Sequence, residues 1–257
     1  MTVQTNRYKR TVDKSLIPTC NIMGVNIAAI NMEWLLEYIE KNLKNIKGDY
    51  ICVANVHTTV MAFEDDEYKE IQNGGIMAIP DGGPLSSVGK QRGFTNMSRT
   101  TGPNLMEEIF KKNKYKHFFY GSTQETLKKL EKNIKKKYPE IQIVGLYSPP
   151  FRKLTKEEDE KAIKFINTYN PDFVWIGLGA PKQEKWMADH LGKINGLMIG
   201  VGAGFDYFAG NIKRAPQWMQ KRSLEWLYRL MQDPGRLFYR YLNTNTKFIW
   251  NTLVRRK

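Results

Sequence analysis

Asp81 is the residue of this chain best suited by type and setting to act as a general base. It follows a short apolar run and stands in Pro80-Asp81-Gly82-Gly83-Pro84. Prolines and glycines of this kind mark a turn and leave the carboxylate accessible. A carboxylate beside a hydroxyl takes its proton as the oxygen attacks, an assistance typically worth about 10²- to 10⁴-fold in rate. A turn aspartate that caps its own backbone has the same appearance, so type and setting alone leave both roles open. Asn55 and His57, just past an apolar run at 50–54, are the next polar candidates to meet a ligand.

A second group suits phosphate. Gly177-Leu178-Gly179-Ala180-Pro181 joins an apolar run to a helix start, and small residues there let backbone N–H groups approach an anion. Pro181 is suited to the first helical position. Lys182 adds charge, and Gln183 has the hydrogen-bonding groups to hold a uracil edge or a ribose. Gly202-Ala203-Gly204-Phe205-Asp206 is a similar loop, with Gly204 and Asp206 as its candidate contacts. A plain strand-to-helix turn is the competing reading of the first loop. Neither loop is GxGxxG, because Lys182 and Phe205 occupy the last glycine position. The stretch from Gly83 to Lys90 is one residue too long for a phosphate loop, and Gln91 stands where Ser or Thr is needed. Dinucleotide chemistry and a P-loop NTPase are therefore set aside.

The three histidines, His57, His117 and His190, have no HxxxH or HExxH spacing, and no DxD sequence occurs. Asp65-Asp66 and Glu157-Glu158-Asp159 read as solvated helix faces. The expectation is no metal and no cofactor. A departing diphosphate would then need cationic side chains, and Arg99, Lys182, Arg214 and the later arginines are the supply.

The elements that must hold these residues alternate. Helical patterns cover 32–46, 58–72, 102–114, 126–137, 156–169 and 182–191. Strand-like runs cover 50–54, 76–79, 117–120, 141–146, 173–177 and 197–201. Such alternation predicts an α/β fold, a Rossmann-like parallel-sheet core flanked by helices. Ligands of such sheets bind beyond the carboxyl ends of the strands. The loops at 55–57, 81–83, 121–122, 177–183 and 202–206 should then share one rim.

A chain of 257 residues, 41% hydrophobic, suits one core plus an appendage. Its two cysteines, Cys20 and Cys52, offer no disulfide framework, which points to a reducing compartment. Residues 1–18 are polar and basic, without the apolar run of a signal peptide, and read as a flexible lead-in. The longest uncharged apolar stretch, near 196–205, falls short of the roughly 20 residues that span a bilayer. The expected location is the cytoplasmic side of the plasma membrane, as a peripheral protein.

Charge is unevenly spread. Residues 213–257 hold eleven Lys or Arg against Glu225 and Asp233, so +9 of the net +14 lies there. A polyanionic partner follows, a membrane surface or a nucleic acid. From Pro234 a helical projection gathers Leu237, Phe238, Tyr241, Leu242, Phe248, Ile249 and Leu253 on one arc. Arg236, Arg240 and Lys247 flank it, and Trp250 stands near its rim. An apolar face bordered by cations fits a helix lying among lipid headgroups. A C-terminal helix packed on the core, with solvated arginines, is the other reading. Nothing resembles a nucleic-acid motif, so an anionic membrane surface is the expected partner. The chain divides into the lead-in 1–18, a catalytic domain 19–212 and a basic amphipathic, membrane-binding helical appendage 213–257.

Taken in order, the segments resemble the WecG/TagA/CpsF family, glycosyltransferase family 26. The resemblance rests on Ala54-Asn55, Pro80-Asp81-Gly82 and Arg99-Thr100-Thr101-Gly102-Pro103-Asn104-Leu105. It continues through Gly177 to Glu184, Gly202 to Asp206, Arg214-Ala215-Pro216, Glu225-Trp226-Leu227 and Asp233-Pro234. It implies an inverting, metal-independent transfer of a hexose, such as N-acetylmannosamine or glucose, from a UDP-sugar to a polyprenyl-diphosphate-linked sugar. The products would be cell-surface polysaccharides such as teichoic acid, capsule or exopolysaccharide. It implies Asp81 as the base, Asn55 in its pocket and Gln183 on the nucleotide. Arginines of the appendage, from Arg214, Arg222 and Arg229, would reach the active site. Many members carry a threonine two residues before the pocket asparagine; Val53 stands there instead, which leaves the donor sugar open. A non-catalytic membrane-bound scaffold of a polysaccharide assembly complex is the competing function, and self-association is left open.

Overall fold

The computed structural model describes residues 10–254. Eight strands form one sheet: β1 (Thr19–Ile22), β2 (Val25–Ala28), β3 (Tyr50–Ala54), β4 (Met77–Pro80), β5 (Lys116–Gly121), β6 (Gln142–Tyr147), β7 (Phe173–Gly177) and β8 (Leu197–Gly200). Their order is β1-β2-β4-β3-β8-β7-β5-β6, and every pairing except β1 with β2 is parallel. The inner strands β3 and β8 read as unbroken apolar runs because helices cover both faces of the sheet.

Successive side chains of a strand point to opposite faces, and the core divides accordingly. Ile51, Phe119, Trp175 and Ile199 pack with α1 (Met32–Ile46), α5 (Gly102–Phe110) and α6 (Gln124–Lys137). Cys52, Phe118, Val174 and Met198 pack on the other face. There they meet Val60 of α2 (Val56–Glu64), Tyr68 of α3 (Asp66–Gly74), Ile166 of α7 (Lys156–Thr168) and Met187 of α8 (Lys182–Asp189).

The α/β expectation is met, and the structure differs from the sequence reading in places with local causes. The helix expected over 58–72 is two helices, because the Asp65 carboxylate accepts from the Tyr68 N–H and starts α3 anew. Asp65 is solvent-exposed, as expected, and is also the cap of α3. The turn at 80–84 runs directly into a helix, α4 (Gly83–Gln91), with Pro84 in its first turn. The β1–β2 hairpin was not expected: polar Asn21 and Asn26 interrupt its short strands, which lack the unbroken apolar run of β4 and β8. Helices α9 (Gly204–Ala209), α10 (Gln217–Lys221), α11 (Glu225–Gln232) and α12 (Pro234–Ile249) complete the chain, followed by a π-helical turn at Trp250–Val254.

Residues 10–18 of the lead-in lie against the body. Arg10 pairs with the buried Asp49, and Lys14 donates to the carbonyls of Asn73 and Gly75. Residues 1–9 lie outside the described residues, as do residues 255–257 of the basic tail.

The rim where β5 meets β7 depends on Gly121. Its φ is +118°, and a Cβ there would lie 2.7 Å from the Gly177 carbonyl carbon. Left-handed strain and backbone overlap should act together in Gly121→Ala, costing on the order of 2–4 kcal/mol. Chemical denaturation reads this as a lower midpoint; an unchanged midpoint would mean that the two loops part freely.

Candidate active site

A cavity of about 830 Å³ opens beyond the carboxyl ends of β3, β4, β5, β7 and β8. All five loops expected to share a rim contribute to it: Asn55 and His57, Asp81, Ser122, Gly179 with Gln183, and Gly204 with Asp206. The far wall comes from the C-terminal helices, through Glu225, Trp226, Arg229, Arg236, Arg240 and Tyr241.

Asn55 is fixed by its own helix. It caps α2, its Oδ1 accepting from the Thr58 N–H at 3.1 Å while its N–H donates to Thr58 Oγ1 at 2.9 Å. The cap uses Oδ1 and leaves the Nδ2 group as a donor. Asp81 is held by its N–H, which donates to the Ala54 carbonyl at 2.7 Å. Its half-buried carboxyl has a pKa raised to about 6. Burial is the main cause and Glu225 adds to it, while Arg99, Arg229 and Arg214 pull the other way. A carboxylate so poised can exchange a proton near neutral pH.

Arg99 stands beside this carboxyl because the Thr100 N–H donates to the Pro80 carbonyl at 2.7 Å. Its guanidinium donates to the Gln220 carbonyl at 3.0 Å and pairs with Glu225. Arg229 lies 6.0 Å over the Tyr207 ring. His57 has a lowered pKa, through burial first and Arg240 second, and its Nδ1 is buried without a hydrogen-bond partner among the described residues. Gln183 is buried on α8, whose N-cap is Pro181 rather than an N1 proline, after a cis Ala180–Pro181 bond.

Three expected contacts stand apart from the cavity lining. Lys182 is exposed at the start of α8 and Arg222 is exposed after α10. Arg214 pairs with Asn104, and its Nη1 lies 3.7 Å from Glu107 Oε2, so its charge reaches Asp81 from behind the wall. Conversely, Glu225 lines the cavity without being expected there, and of the later arginines Arg236 and Arg240 join Arg229 in the lining. Arg236 and Arg240 fall four apart on one helix face, a signal visible in the sequence, but nothing there says which face looks inward.

The C-terminal arc is divided in the same way. Leu237 and Phe248 are buried and Tyr241 and Ile249 line the cavity, whereas Phe238, Leu242 and Trp250, like Ile249, are each more than half exposed. Lys247 pairs with Glu64 of α2. The Leu253 side chain lies outside the described residues. Helix α12 therefore packs on the body and also keeps an outward apolar strip. Among the described residues no helix is long and apolar enough to cross a membrane, and no group of three or more His, Cys, Asp or Glu has metal-holding geometry.

A carboxyl tuned near neutrality, facing arginines across one cleft, is the arrangement a glycosyl transfer from a diphosphate needs. The family model for the glycosyl transferase WecG/TagA/CpsF family matches residues 20–257. The chain belongs to that family. It is a glycosyltransferase, and this excludes the non-catalytic scaffold. A relative from Bacillus subtilis (strain 168) is 31% identical over 80% of both chains. One from Staphylococcus aureus (strain MW2) is 28% identical over 88% of this chain and 89% of its own. Both are named N-acetylglucosaminyldiphosphoundecaprenol N-acetyl-beta-D-mannosaminyltransferase. Every segment that carried the family resemblance, from Ala54-Asn55 to Asp233-Pro234, lies within the matched span. Val53, two residues before Asn55, itself lines the cavity.

Proposed function

We propose that the protein transfers a hexose, N-acetylmannosamine in the first instance, from a UDP-sugar to a polyprenyl-diphosphate-linked sugar in cell-surface polysaccharide synthesis, with inversion and without a metal. The observation that carries this reading is Asp81, raised to about 6, opposite Arg99 and Arg229 in one cavity. The acceptor hydroxyl attacks the anomeric carbon and Asp81 takes its proton. The bond from that carbon to the diphosphate oxygen breaks, and the charge that develops on the leaving group falls among the arginines. One displacement inverts the centre. Cavity arginines supply the positive charge that a bound metal would otherwise bring. The names of the relatives support the lipid-linked acceptor and the N-acetylmannosaminyl group.

The enzyme works, in this reading, as a peripheral protein on the anionic cytoplasmic face of the membrane. The exposed strip of Phe238, Leu242, Ile249 and Trp250 borders the wall that carries Arg236 and Arg240. A lipid-linked acceptor would then enter from the bilayer.

A donor screen tests the function. UDP release is measured across UDP-sugars with undecaprenyl-diphosphate-linked N-acetylglucosamine, with and without a chelator. Release from one UDP-hexose that is unaffected by chelation is the expected result. Release that requires a divalent ion, or none from any UDP-sugar, would overturn the reading.

A further inference from the structure

One buried carboxylate has no part in the chemistry above. Glu184 is 0% exposed, one residue past Gln183 on α8. Gln183 Nε2 donates to Glu184 Oε1 at 2.8 Å. The Tyr68 hydroxyl lies near the same carboxyl and favours its charged form, and Gln72 Nε2 donates to the Tyr68 oxygen at 2.9 Å. Because Tyr68 accepts from Gln72, its own proton is available to Glu184. A buried polar chain thus runs from Gln72 and Tyr68 on α3, through Glu184, to Gln183 at the cavity. Burial pushes the Glu184 carboxyl up, and the Gln183 amide, its own backbone N–H and the nearby Tyr68 hydroxyl oppose that shift. Burying a carboxyl is costly, and here it has a definite consequence for its neighbour.

A glutamine amide has a donor end and an acceptor end. An ionised carboxylate only accepts, so it takes the NH₂ end and turns the carbonyl end away. Gln183 Oε1 accordingly lies on the side of Gly202, where a Cβ would stand 3.5 Å from it, and it has no hydrogen-bond partner among the described residues. At Gly200 a Cβ would stand 3.0 Å from Gln183 Nε2, so a side chain at that loop position would crowd the amide. Gly200, Gly202 and Gln183 all line the cavity.

We infer that Glu184 is a positioning residue that locks Gln183 with its carbonyl oxygen toward the cavity, as an acceptor for an O–H or N–H of the nucleotide-sugar donor. The inference rests on the donor reading proposed above. It also limits what Gln183 binds. A phosphate oxygen is itself an acceptor and does not suit Oε1, whereas a ribose or sugar hydroxyl or a base N–H does.

The test is a double-mutant cycle read by calorimetric titration with UDP, with the UDP-sugar that turns over, and with inorganic pyrophosphate. Glu184→Met and Gln183→Ala should each weaken nucleotide binding by about tenfold, the scale of one buried hydrogen bond. The double variant should bind no worse than Gln183→Ala, because Glu184 acts through Gln183. Glu184→Gln should restore most of the affinity, since its amide carbonyl still accepts from Gln183. A loss seen with UDP assigns the hydrogen to the nucleoside; a loss seen only with the UDP-sugar assigns it to the sugar. Pyrophosphate affinity should not change. Losses that multiply in the double variant, as a purely structural role would give, overturn the inference, and so does a fall in pyrophosphate affinity. If Glu184→Met does not fold, Tyr68→Phe takes its place in the cycle, with a smaller loss that vanishes beside Gln183→Ala. A wild-type protein without affinity for UDP overturns the donor reading and this inference together. Wild-type affinity with multiplying losses overturns this inference alone.

Discussion

Asp81→Asn should lower kcat by about 10²- to 10⁴-fold, the range of general-base assistance, and leave UDP affinity almost unchanged. The asparagine keeps the shape and accepts no proton at neutral pH. The pH dependence distinguishes this from other causes. A base works only when ionised, so wild-type activity should be lost as pH falls through about 6, the raised value of this carboxyl. The variant's residual activity should lack that limb. Stability should move the other way. The folded pKa exceeds the ordinary 3.8, so the folded state binds more protons than the unfolded state between 3.8 and about 6. Ionised Asp81 therefore lowers stability as pH rises through that window. At pH 7 the neutral asparagine removes this cost, and the variant should melt no lower than the wild type. Unchanged turnover, or an acid limb that persists in the variant, would remove Asp81 from its role.

How far such a site can be read from sequence depends on whether a residue's neighbours along the chain determine its surroundings. Asp81 was legible because Pro80 and Gly82 determine the turn and the apolar run behind it determines the strand end. Asn55 and Gln183 were legible for the same reason, each lying just past a strand whose burial on both faces shows as an unbroken apolar run. The pairing of Arg99 with Glu225 was not legible. Its partners are 126 residues apart, and only the packing of α11 over the cavity joins them. Helix α12 had the right period, but a helical projection fixes which residues share an arc and not which part of that arc is covered. Leu237 and Phe248 went inward while Phe238 and Leu242, one and six residues away, stayed out. Lys182 illustrates the opposite error, since a cation next to a phosphate-suited loop points to solvent once α8 takes its place.

Because α12 both walls the cavity and bears the exposed strip, its two duties should be separable by substitution. Leu242 is 57% exposed and Phe238 is 52% exposed, and neither lines the cavity, so placing Glu at both should disturb the fold little; exposed changes usually stay within about 0.5 kcal/mol. Burying such a side chain in a bilayer contributes about 1.5–3 kcal/mol, and a carboxylate at an anionic surface opposes binding further. The double variant should co-sediment with phosphatidylglycerol vesicles at least about tenfold less than the wild type. Its turnover of a lipid-linked acceptor in vesicles should fall in step, while turnover of a short-chain soluble acceptor should stay at the wild-type level. Removing residues 213–257 should abolish both activities, because Arg229, Arg236 and Arg240 leave with the tail. If the exposed pair is replaced and vesicle binding persists, the strip is not the anchor. If turnover of the soluble acceptor falls as far as turnover in vesicles, the strip shapes the active site. Retention of soluble-acceptor turnover with loss of turnover in vesicles would mean that membrane contact delivers the acceptor to a site already complete in the free protein.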